Sequence, residues 1–351
     1  MGICGSGLRA AAELLADSGC RVSGSDASPT SHAVAALAAV GVKVQTGHAA
    51  AHVPDDCELL IYSAAVPPDN PERQAVAARN IRQVSYPQFL GELTRRRNAI
   101  CVAGTHGKST TTGLIASILE GAGRRPDVIC GAEIVGTNRS GWAGAGRWVV
   151  AESCEFRRHF LQTSPETLIV TGIEWDHVDC YASLTDTIDA FAALMKRVRR
   201  GGLLVISGDC SASRRALVAA RMDRLCSGPR VVTFGHGADN DWRIVAHVQR
   251  EADTTVDLLG PDDQTIRLQF PLLGNHNAHN GVAAAVAALE LGIPPSDVIT
   301  SLASCSGVRR RLQYVSEWRG MTLFDDYAHH PTAVRAVLTA LREAYPRRRL
   351  L

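Results

Sequence analysis

The segment 104–110 of this sequence has the residue types that bind a nucleoside triphosphate. It reads Gly-Thr-His-Gly-Lys-Ser-Thr, follows the apolar run 100–102, and precedes a stretch with helical apolar spacing. Between a strand and a helix, backbone N–H groups and the helix N-terminus attract phosphate oxygens. Lys108 can neutralise the β- and γ-phosphates, and the hydroxyl of Ser109 can ligate Mg²⁺. The loop is a shortened form, because Val102 stands where the usual form has its first glycine. We therefore predict ATP binding in preference to a chance Gly-Lys-Ser turn.

Polar side chains also follow two predicted strands further along the chain. Glu152 comes after the strand 148–151, and His177 lies in the polar segment 173–181, which also follows a strand. Ligands of an open parallel sheet bind beyond the carboxyl ends of its strands, so we expect both side chains near the phosphate loop. Mg²⁺ prefers hard oxygen ligands, which Ser109 and Glu152 would supply. His177 is a less usual magnesium ligand, and a capping or packing role is its alternative.

Two later segments have a structural and a functional interpretation each. Asn277 lies at the start of an alanine-rich segment, where an asparagine is commonly a helix cap, and where its amide could instead hold a purine edge. The residue type alone favours the cap. The run 309–311 is Arg-Arg-Arg, which is usually a solvated surface. Near a phosphate site, one of these arginines could neutralise the transferring γ-phosphoryl group.

The first residues nearly match the dinucleotide-binding fingerprint Gly-x-Gly-x-x-Gly. Cys4 replaces the glycine that lets the backbone approach a pyrophosphate, and Asp26 lies about twenty residues on, where an acid can bind a ribose hydroxyl. This pattern favours a nucleotide-diphosphate site over a merely structural tight turn. A nicotinamide-dependent oxidoreductase is a weaker interpretation, because hydride transfer requires an intact fingerprint.

The alternation of short apolar strands and amphipathic helices predicts the elements that position these residues. We expect an α/β fold in three parts: a Rossmann-like parallel sheet over 1–97, a P-loop-type α/β ATPase domain with a small antiparallel patch over 98–320, and the start of a third α/β domain over 321–351. The chain opens directly on a glycine loop and ends on an arginine-rich segment as if a strand were beginning. We therefore expect a piece of a longer protein.

Composition indicates an ordinary globular protein and excludes several classes of partner. The 351 residues are 46% hydrophobic and 21% charged with a net charge of +2, so we expect neither nucleic acid nor a membrane as a partner. The ten cysteines form no Cys-x-x-Cys pair, which argues against a structural zinc site and a redox dithiol. Because no signal peptide or long apolar run occurs, we expect a cytoplasmic protein.

Taken in order, these motifs resemble those of the Mur ligases, and most closely the alanine-adding type. The resemblance rests on the phosphate loop, the segment 174–181, the segment 274–280, the Arg310-Arg311 pair and the segment 325–331, which reads Asp-Asp-Tyr-Ala-His-His-Pro. It implies ATP and Mg²⁺ as cofactors and UDP-N-acetylmuramate and L-alanine as substrates. The reaction would form an acyl phosphate on the lactyl carboxylate, which the amine of L-alanine then attacks. The sequence does not indicate an oligomeric state.

The resemblance also implies a role for each matching residue. Lys108, His177 and Arg311 would be catalytic, with Lys108 on the β- and γ-phosphates and Arg311 on the γ-phosphate. The ATP-binding residues would be Gly104, Thr105, His106, Gly107, Lys108, Ser109, Thr110, Asn277, Arg311 and Asp326. The metal ligands would be Ser109, Glu152 and His177, and the UDP-sugar would be held by Gly5, Ser6, Gly7, Asp26 and Ser63.

The sequence departs from the family in two further places. The segment 152–156 lacks the acidic run of the alanine-adding enzymes, which leaves Glu152 and Glu155 as rival metal ligands. The third domain of the family is represented by its first strand and helix, so we expect nucleotide binding to exceed turnover. Two alternatives stay open: a ligase that attaches a ready-made murein tripeptide in recycling, and a non-catalytic nucleotide-binding remnant.

Overall fold

The computed structural model describes residues 1–221, 228–251 and 253–351. Its first 96 residues alternate short parallel strands with helices, as the sequence predicts. The strands are β1 (Ser23–Asp26), β2 (Lys43–Thr46), β3 (Leu59–Tyr62) and β4 (Arg82–Ser85), and the helices are α1 (Ser6–Asp17), α2 (Ser31–Ala39), α3 (Pro71–Ala78) and α4 (Tyr86–Arg96). β1 pairs with β2 and β3 with β4, both in parallel.

Residues 1–3 lie between these two strand pairs and connect them. The N–H of Gly2 donates to the carbonyl of Ser25 (2.8 Å), and the N–H of Ser63 donates to the carbonyl of Met1 (3.0 Å). The glycine loop that follows therefore begins at the carboxyl ends of β1 and β3. Neither α3 nor β4 is predicted from the sequence, because β4 has a single buried apolar residue, Val84.

A ten-stranded sheet forms the centre of the molecule. Its order is β14-β13-β12-β11-β10-β9-β5-β8-β6-β7. The strands are β5 (Asn98–Ala103), β6 (Asp127–Ile134), β7 (Arg139–Trp142), β8 (Trp148–Glu152), β9 (Thr167–Val170), β10 (Leu203–Ser207), β11 (Arg230–Gly235), β12 (Trp242–Gln249), β13 (Thr254–Leu259) and β14 (Thr265–Phe270). The pairs from β11 through β10, β9, β5 and β8 to β6 are all parallel.

Helices cover both faces of this sheet, which explains why its inner strands are continuous apolar runs. One face packs on α5 (Lys108–Gly121), α8 (Asn275–Glu290) and α9 (Pro295–Ala303). The other packs on α6 (Leu184–Met195) and α7 (Ser211–Ala220). Residues 99–103 of β5 are fully buried between the two layers. The phosphate loop follows β5 directly, so its position is fixed by the best-packed strand of the sheet.

The two edges of the sheet are antiparallel. β12 joins β11 in parallel through Phe234 and Gly235, and β12, β13 and β14 then form an antiparallel meander. This confirms the antiparallel patch predicted from the sequence. At the other edge β7 pairs antiparallel with β6, which the sequence does not predict because Arg-Ser-Gly-Trp has no apolar alternation.

The last residues form a hairpin and a helix. β15 (Gln313–Trp318) pairs antiparallel with β16 (Met321–Asp325), and α10 (Pro331–Ala344) follows. β16 is the strand that the sequence predicts at this point, and its hairpin spans the position 320 proposed as a domain boundary. Within the described residues, no helix is long and apolar enough to cross a membrane.

Candidate functional site

The loop between β5 and α5 depends on two glycines. Gly104 has φ +143° and Gly107 has φ +80°, which are backbone conformations that other residues rarely adopt. A Cβ atom would lie 2.1 Å from Thr171 Oγ1 at the first position and 2.1 Å from Asn280 Oδ1 at the second. The loop therefore has no room for side chains at these positions, and α5 begins immediately after it at Lys108. This cradle at the N-terminus of a long helix fits a phosphate chain.

A hydroxyl group fixes the loop to the segment that follows β9. Thr105 Oγ1 donates to the carbonyl of Glu174 (3.0 Å) and accepts from the N–H of Glu174 (2.9 Å). The N–H of Thr105 also donates to the carbonyl of Gly172 (2.9 Å). The phosphate loop and the segment containing Glu174 and His177 are thus held at one edge of the sheet, as the carboxyl ends of neighbouring parallel strands require.

Lys108 is folded back over the loop and forms a buried ion pair. Its Nζ donates to the carbonyl oxygens of Gly104 (2.7 Å) and Thr105 (3.1 Å) and lies 2.8 Å from Glu155 Oε2. Burial alone would lower the pKa of Lys108, but the surrounding carboxylates, Glu155 foremost, hold that pKa above its ordinary value. The ammonium group is therefore charged and available to an anionic ligand.

Glu155 joins Lys108 to His177. The Nε2 atom of His177 lies 3.4 Å from Glu155 Oε1, and the Tyr181 hydroxyl donates to the backbone carbonyl of Glu155 (2.6 Å). Burial would raise the pKa of Glu155, but the charge of Lys108 and hydrogen bonds from His177 and Lys108 lower it. The hydrogen bond with Glu155 raises the pKa of His177 despite partial burial. The sequence names Glu155 only as a rival metal ligand, yet it is the carboxylate at the centre of this cluster.

Glu152 and Ser109 both lie next to Cys130. Glu152 Oε2 accepts from the N–H of Gly131 (2.7 Å) and lies 4.0 Å from Cys130 Sγ. That same sulfur lies 3.5 Å from the backbone carbonyl of Ser109, whose side chain is buried. A hydroxyl and a carboxylate are the hard oxygen donors that suit Mg²⁺. These two residues have the donor atoms that suit the predicted ion. The metal role of His177, whose Nε2 faces Glu155, stays a prediction.

The start of α8 meets the phosphate loop through its asparagines. Asn277 is buried, its Nδ2 donates to the carbonyl of Leu273 (2.8 Å), and its Oδ1 accepts from Asn280 Nδ2 (3.2 Å). Asn280 is the residue whose side chain lies against Gly107 and leaves no room for a Cβ atom there. The interpretation of Asn277 as the helix cap is wrong, because Gly274 is the N-cap of α8 and Asn277 lies in its first turn. Asn280 is a neighbour of the loop that sequence reasoning missed.

The segment after α9 approaches the same region. The carboxylate of Asp326 accepts from the N–H groups of Leu312 and Ala328, both at 2.6 Å. The guanidinium of Arg311 lies 5.5 Å from the centre of the Tyr327 ring. Arg311 thus packs on Tyr327, while Asp326 organises the turn between Leu312 and Ala328.

The residues predicted to bind a UDP-sugar lie at the start of α1 and at the carboxyl ends of β1 and β3. Gly5 caps α1, which begins at Ser6. The carboxylate of Asp26, at the end of β1, accepts from the N–H of Cys4 (2.9 Å). Ser63 follows β3, and a Cβ on Gly2 would come within 3.0 Å of its Cβ. Gly7 is also required, because a Cβ there would lie 2.7 Å from the ring of Tyr86.

Comparison with known families identifies the chain along nearly its whole length. Residues 1–98 match the Mur ligase family, catalytic domain, residues 102–288 match the Mur ligase middle domain, and residues 310–351 match the Mur ligase, glutamate ligase domain. The chain belongs to the Mur ligase family. Mur ligases are ATP-dependent, which agrees with the phosphate loop, and the family assignment takes the place of the oxidoreductase interpretation.

Several Mur ligases of known name are similar to this one. The UDP-N-acetylmuramate–L-alanine ligase of Streptomyces avermitilis is 38% identical over 352 residues, covering 100% of this chain and 74% of the relative. That of Nitratidesulfovibrio vulgaris is 39% identical over 354 residues, covering 100% and 75%. The crystal structure of the Thermotoga maritima UDP-N-acetylmuramate–alanine ligase superposes with a TM-score of 0.84 at 26% identity, covering 98% of this chain and 77% of that one.

A Mur ligase of the recycling type also shares the fold. The murein peptide ligase of Psychrobacter arcticus superposes with a TM-score of 0.79 at 25% identity, covering 99% of this chain and 76% of that one. Both enzyme types therefore have this architecture, and the named relatives at 38% and 39% identity are of the alanine-adding type.

Proposed function

We propose that this Mur ligase joins L-alanine to the lactyl carboxylate of UDP-N-acetylmuramate with hydrolysis of ATP, in cytoplasmic peptidoglycan precursor synthesis. The observation that carries the proposal is the identity of 38–39% along the whole chain to ligases of that name. The phosphate loop, with Lys108 at the start of α5, supplies the ATP site that such a reaction requires.

The chemistry proceeds in two steps. A lactyl carboxylate oxygen attacks the γ-phosphorus of ATP, and the bond between that phosphorus and the β,γ-bridging oxygen breaks. This releases ADP and forms an acyl phosphate. The amine of L-alanine then attacks the acyl carbon, loses a proton, and expels inorganic phosphate as the amide forms. A carboxylate acylates an amine only once its oxygen leaves as phosphate, so the protein mainly orients reactants and neutralises charge.

The predicted site residues have separate tasks in this proposal. Lys108 Nζ would exchange its bonds to loop carbonyls and Glu155 for the β- and γ-phosphates. Arg311 would stabilise the charge on the γ-phosphoryl group, and Ser109 and Glu152 would hold Mg²⁺, which supplies charge neutralisation when bound. His177 and Glu155 would keep Lys108 in place between turnovers.

The remaining assignments are also part of the proposal. Asn277 and Asp326 would bind the nucleoside of ATP, and the loop at Gly5 with Asp26 and Ser63 would bind the UDP-sugar. The chain would divide into a UDP-sugar domain over 1–97, an ATP-binding domain over 98–320 and a ligase domain that begins at 321.

The acceptor specificity can be tested by phosphate release. With ATP, Mg²⁺ and UDP-N-acetylmuramate present, L-alanine should stimulate phosphate release and yield the UDP-N-acetylmuramoyl-alanine adduct by mass spectrometry. The murein tripeptide should give little stimulation. Stimulation by tripeptide and not by L-alanine would assign the recycling activity instead, and absence of release with either would contradict both.

The phosphate loop can be tested by Lys108→Ala. We expect kcat to fall at least about 100-fold, because a preorganised electrostatic contact to the transferring group contributes about 3 kcal/mol. The matched control is Lys196→Ala, because Lys196 is exposed at the end of α6, and it should retain its activity. Near-normal turnover of Lys108→Ala would contradict the assigned role of the loop.

A further inference from the structure

Three side chains at the phosphate loop form a cluster to which the proposed function gives no metal-binding role, although His106 is among the residues that the resemblance assigns to ATP. His106, Glu174 and His330 each offer one ligand atom, and these atoms all lie within 4.8 Å of one another. It is the only group of three His, Cys, Asp or Glu side chains with this spacing in the described part of the chain. We propose that these three residues bind a divalent transition-metal ion of the Zn²⁺ class.

The spacing within the cluster is close to that of ligands on one ion. His106 Nε2 lies 3.1 Å from Glu174 Oε2. Two ligands on a tetrahedral ion with bonds of 2.0–2.1 Å are about 3.3 Å apart, so this pair already has the required separation. His330 has to move by at most about 1.5 Å to complete the triad. Its ring is partly exposed, and side-chain rotation suffices for this movement.

The hydrogen bonds around Glu174 orient its carboxylate in the way that outer contacts do in metal sites. The Oγ1 of Thr332 donates to Glu174 Oε1 (2.7 Å), which leaves Oε2 directed at His106. His330 Nδ1 accepts a long hydrogen bond from the N–H of Thr332 (3.3 Å), and this contact has to be released when either ring nitrogen ligates the ion. The backbone of Glu174 is fixed by Thr105. Such outer contacts determine ring orientation and contribute 10–100-fold to metal affinity in known sites.

The donor set determines which ion fits. Two imidazole nitrogens and one carboxylate suit Zn²⁺, Co²⁺ or Fe²⁺, whereas Mg²⁺ and Ca²⁺ prefer oxygen ligands. The proposed ion is thus chemically distinct from the Mg²⁺ expected at Ser109 and Glu152. Because His106 belongs to the phosphate loop and His330 precedes α10, a bound ion would connect the loop to the final helix.

Binding can be measured without nucleotide, so the test does not depend on the proposed ligase activity. The full chain, freed of metal with a chelator, is titrated with Co²⁺ while the visible d–d absorption is followed. We expect saturation at one equivalent, displacement by Zn²⁺ and no displacement by Mg²⁺. Cysteine ligation would be recognised by additional charge-transfer bands in the near ultraviolet.

Two variants and a neighbouring control locate the site. Glu174→Gln and His330→Gln should each weaken Co²⁺ binding at least about tenfold, and His329→Gln, next in sequence but outside the cluster, should leave it unchanged. Zn²⁺ should also raise the Tm of the unaltered protein and of His329→Gln by mass action. The proposal is overturned if no one-equivalent binding occurs, or if Glu174→Gln and His330→Gln bind Co²⁺ like the unaltered protein.

Discussion

The central sheet contacts the segments before and after it in two different ways. On one side, α1 packs against β6 and β7 around buried charges, of which Glu13, Glu133 and Arg9 are each less than a tenth exposed. On the other, the contact of Glu174 with α10 runs through Thr332, which is exposed. The first contact excludes water, so its loss costs free energy of unfolding, whereas the exposed Thr332 bond can be replaced by bonds to water. The far end of α10 is anchored separately, through the buried Ala340 and Ala344 and a hydrogen bond from Gln249 Nε2 to the carbonyl of Ala340 (2.8 Å). We infer that the buried charges between α1 and the central sheet contribute more to stability than the exposed contact between Glu174 and Thr332.

The buried contact is centred on the carboxylate of Glu133. It accepts from Arg9 Nη1 (2.7 Å) and Arg309 Nη1 (2.8 Å), and it also pairs with His32. Nearby, Glu13 Oε2 accepts from the N–H groups of Ser140 and Gly141, both at 2.8 Å. Residues from three parts of the chain therefore share a single buried charge network.

Among the variants that test this comparison, Glu133→Gln is expected to have the largest effect on the free energy of unfolding. The variant removes a buried negative charge and leaves Arg9 with only its longer ion pair, to Glu13 (3.8 Å), so we expect the free energy of unfolding to fall by about 3 kcal/mol. Urea titration followed by circular dichroism measures the change. The control Glu317→Gln, at an exposed position of β15, should stay within about 0.5 kcal/mol. Equal stability of the two variants would show that the buried charge of Glu133 does not stabilise the contact with α1.

The pH dependence of the same variant sharpens this prediction. Burial would raise the pKa of Glu133, but hydrogen bonds from Arg309 and His32 and the charge of Arg9 lower it. A carboxyl group with a lowered folded-state pKa stabilises the protein above its ordinary pKa of 4.5 and loses that contribution as pH falls through the folded-state value. The stability difference between the unaltered protein and Glu133→Gln should therefore be full at pH 7 and decrease below pH 4.5. A constant difference across this range would contradict the assigned charge network.

A smaller loss of stability is expected from Gly141→Ala, which adds a methyl group between β7 and α1. A Cβ on Gly141 would lie 2.1 Å from the backbone carbonyl oxygen of Ala10, so Gly141→Ala must displace the helix. We expect a loss of about 2 kcal/mol in the free energy of unfolding. Gly172→Ala is the control, because an added Cβ there meets no atom within 4 Å. A variant Gly141→Ala as stable as this control would indicate that α1 adjusts freely, contrary to a rigid contact.

The elements of the ATP site could be predicted from the sequence, because local signals determine them. The apolar run of β5, the glycines of the loop and the spacing of α5 lie within about twenty residues of one another, and each has a direct structural meaning. The predicted positions of Lys108 and Ser109 at the loop follow from the same order of strand, loop and helix.

The charge networks could not be predicted, because they depend on partners distant in sequence. Glu133 lies in a strand and contacts Arg9, 124 residues earlier, and nothing in its local sequence distinguishes it from an exposed glutamate. Glu155 likewise follows Glu152 by three residues, and only the fold decides which of them faces Lys108. The edge strand β7 was missed for a related reason, since its pairing and its contact with α1 replace the apolar pattern of a buried strand.

The smallest effect is expected at the exposed contact, from Thr332→Val. The substitution keeps the side-chain shape and removes the hydrogen bond to Glu174 Oε1. Because both groups can bond to water instead, the free energy of global unfolding should change by no more than about 0.5 kcal/mol. Local opening should still become easier, so amide hydrogen exchange in α10 should accelerate about twofold while exchange in α1 stays the same. A loss of global stability as large as that of Glu133→Gln would show that the contact at α10 supports the fold as much as the contact at α1.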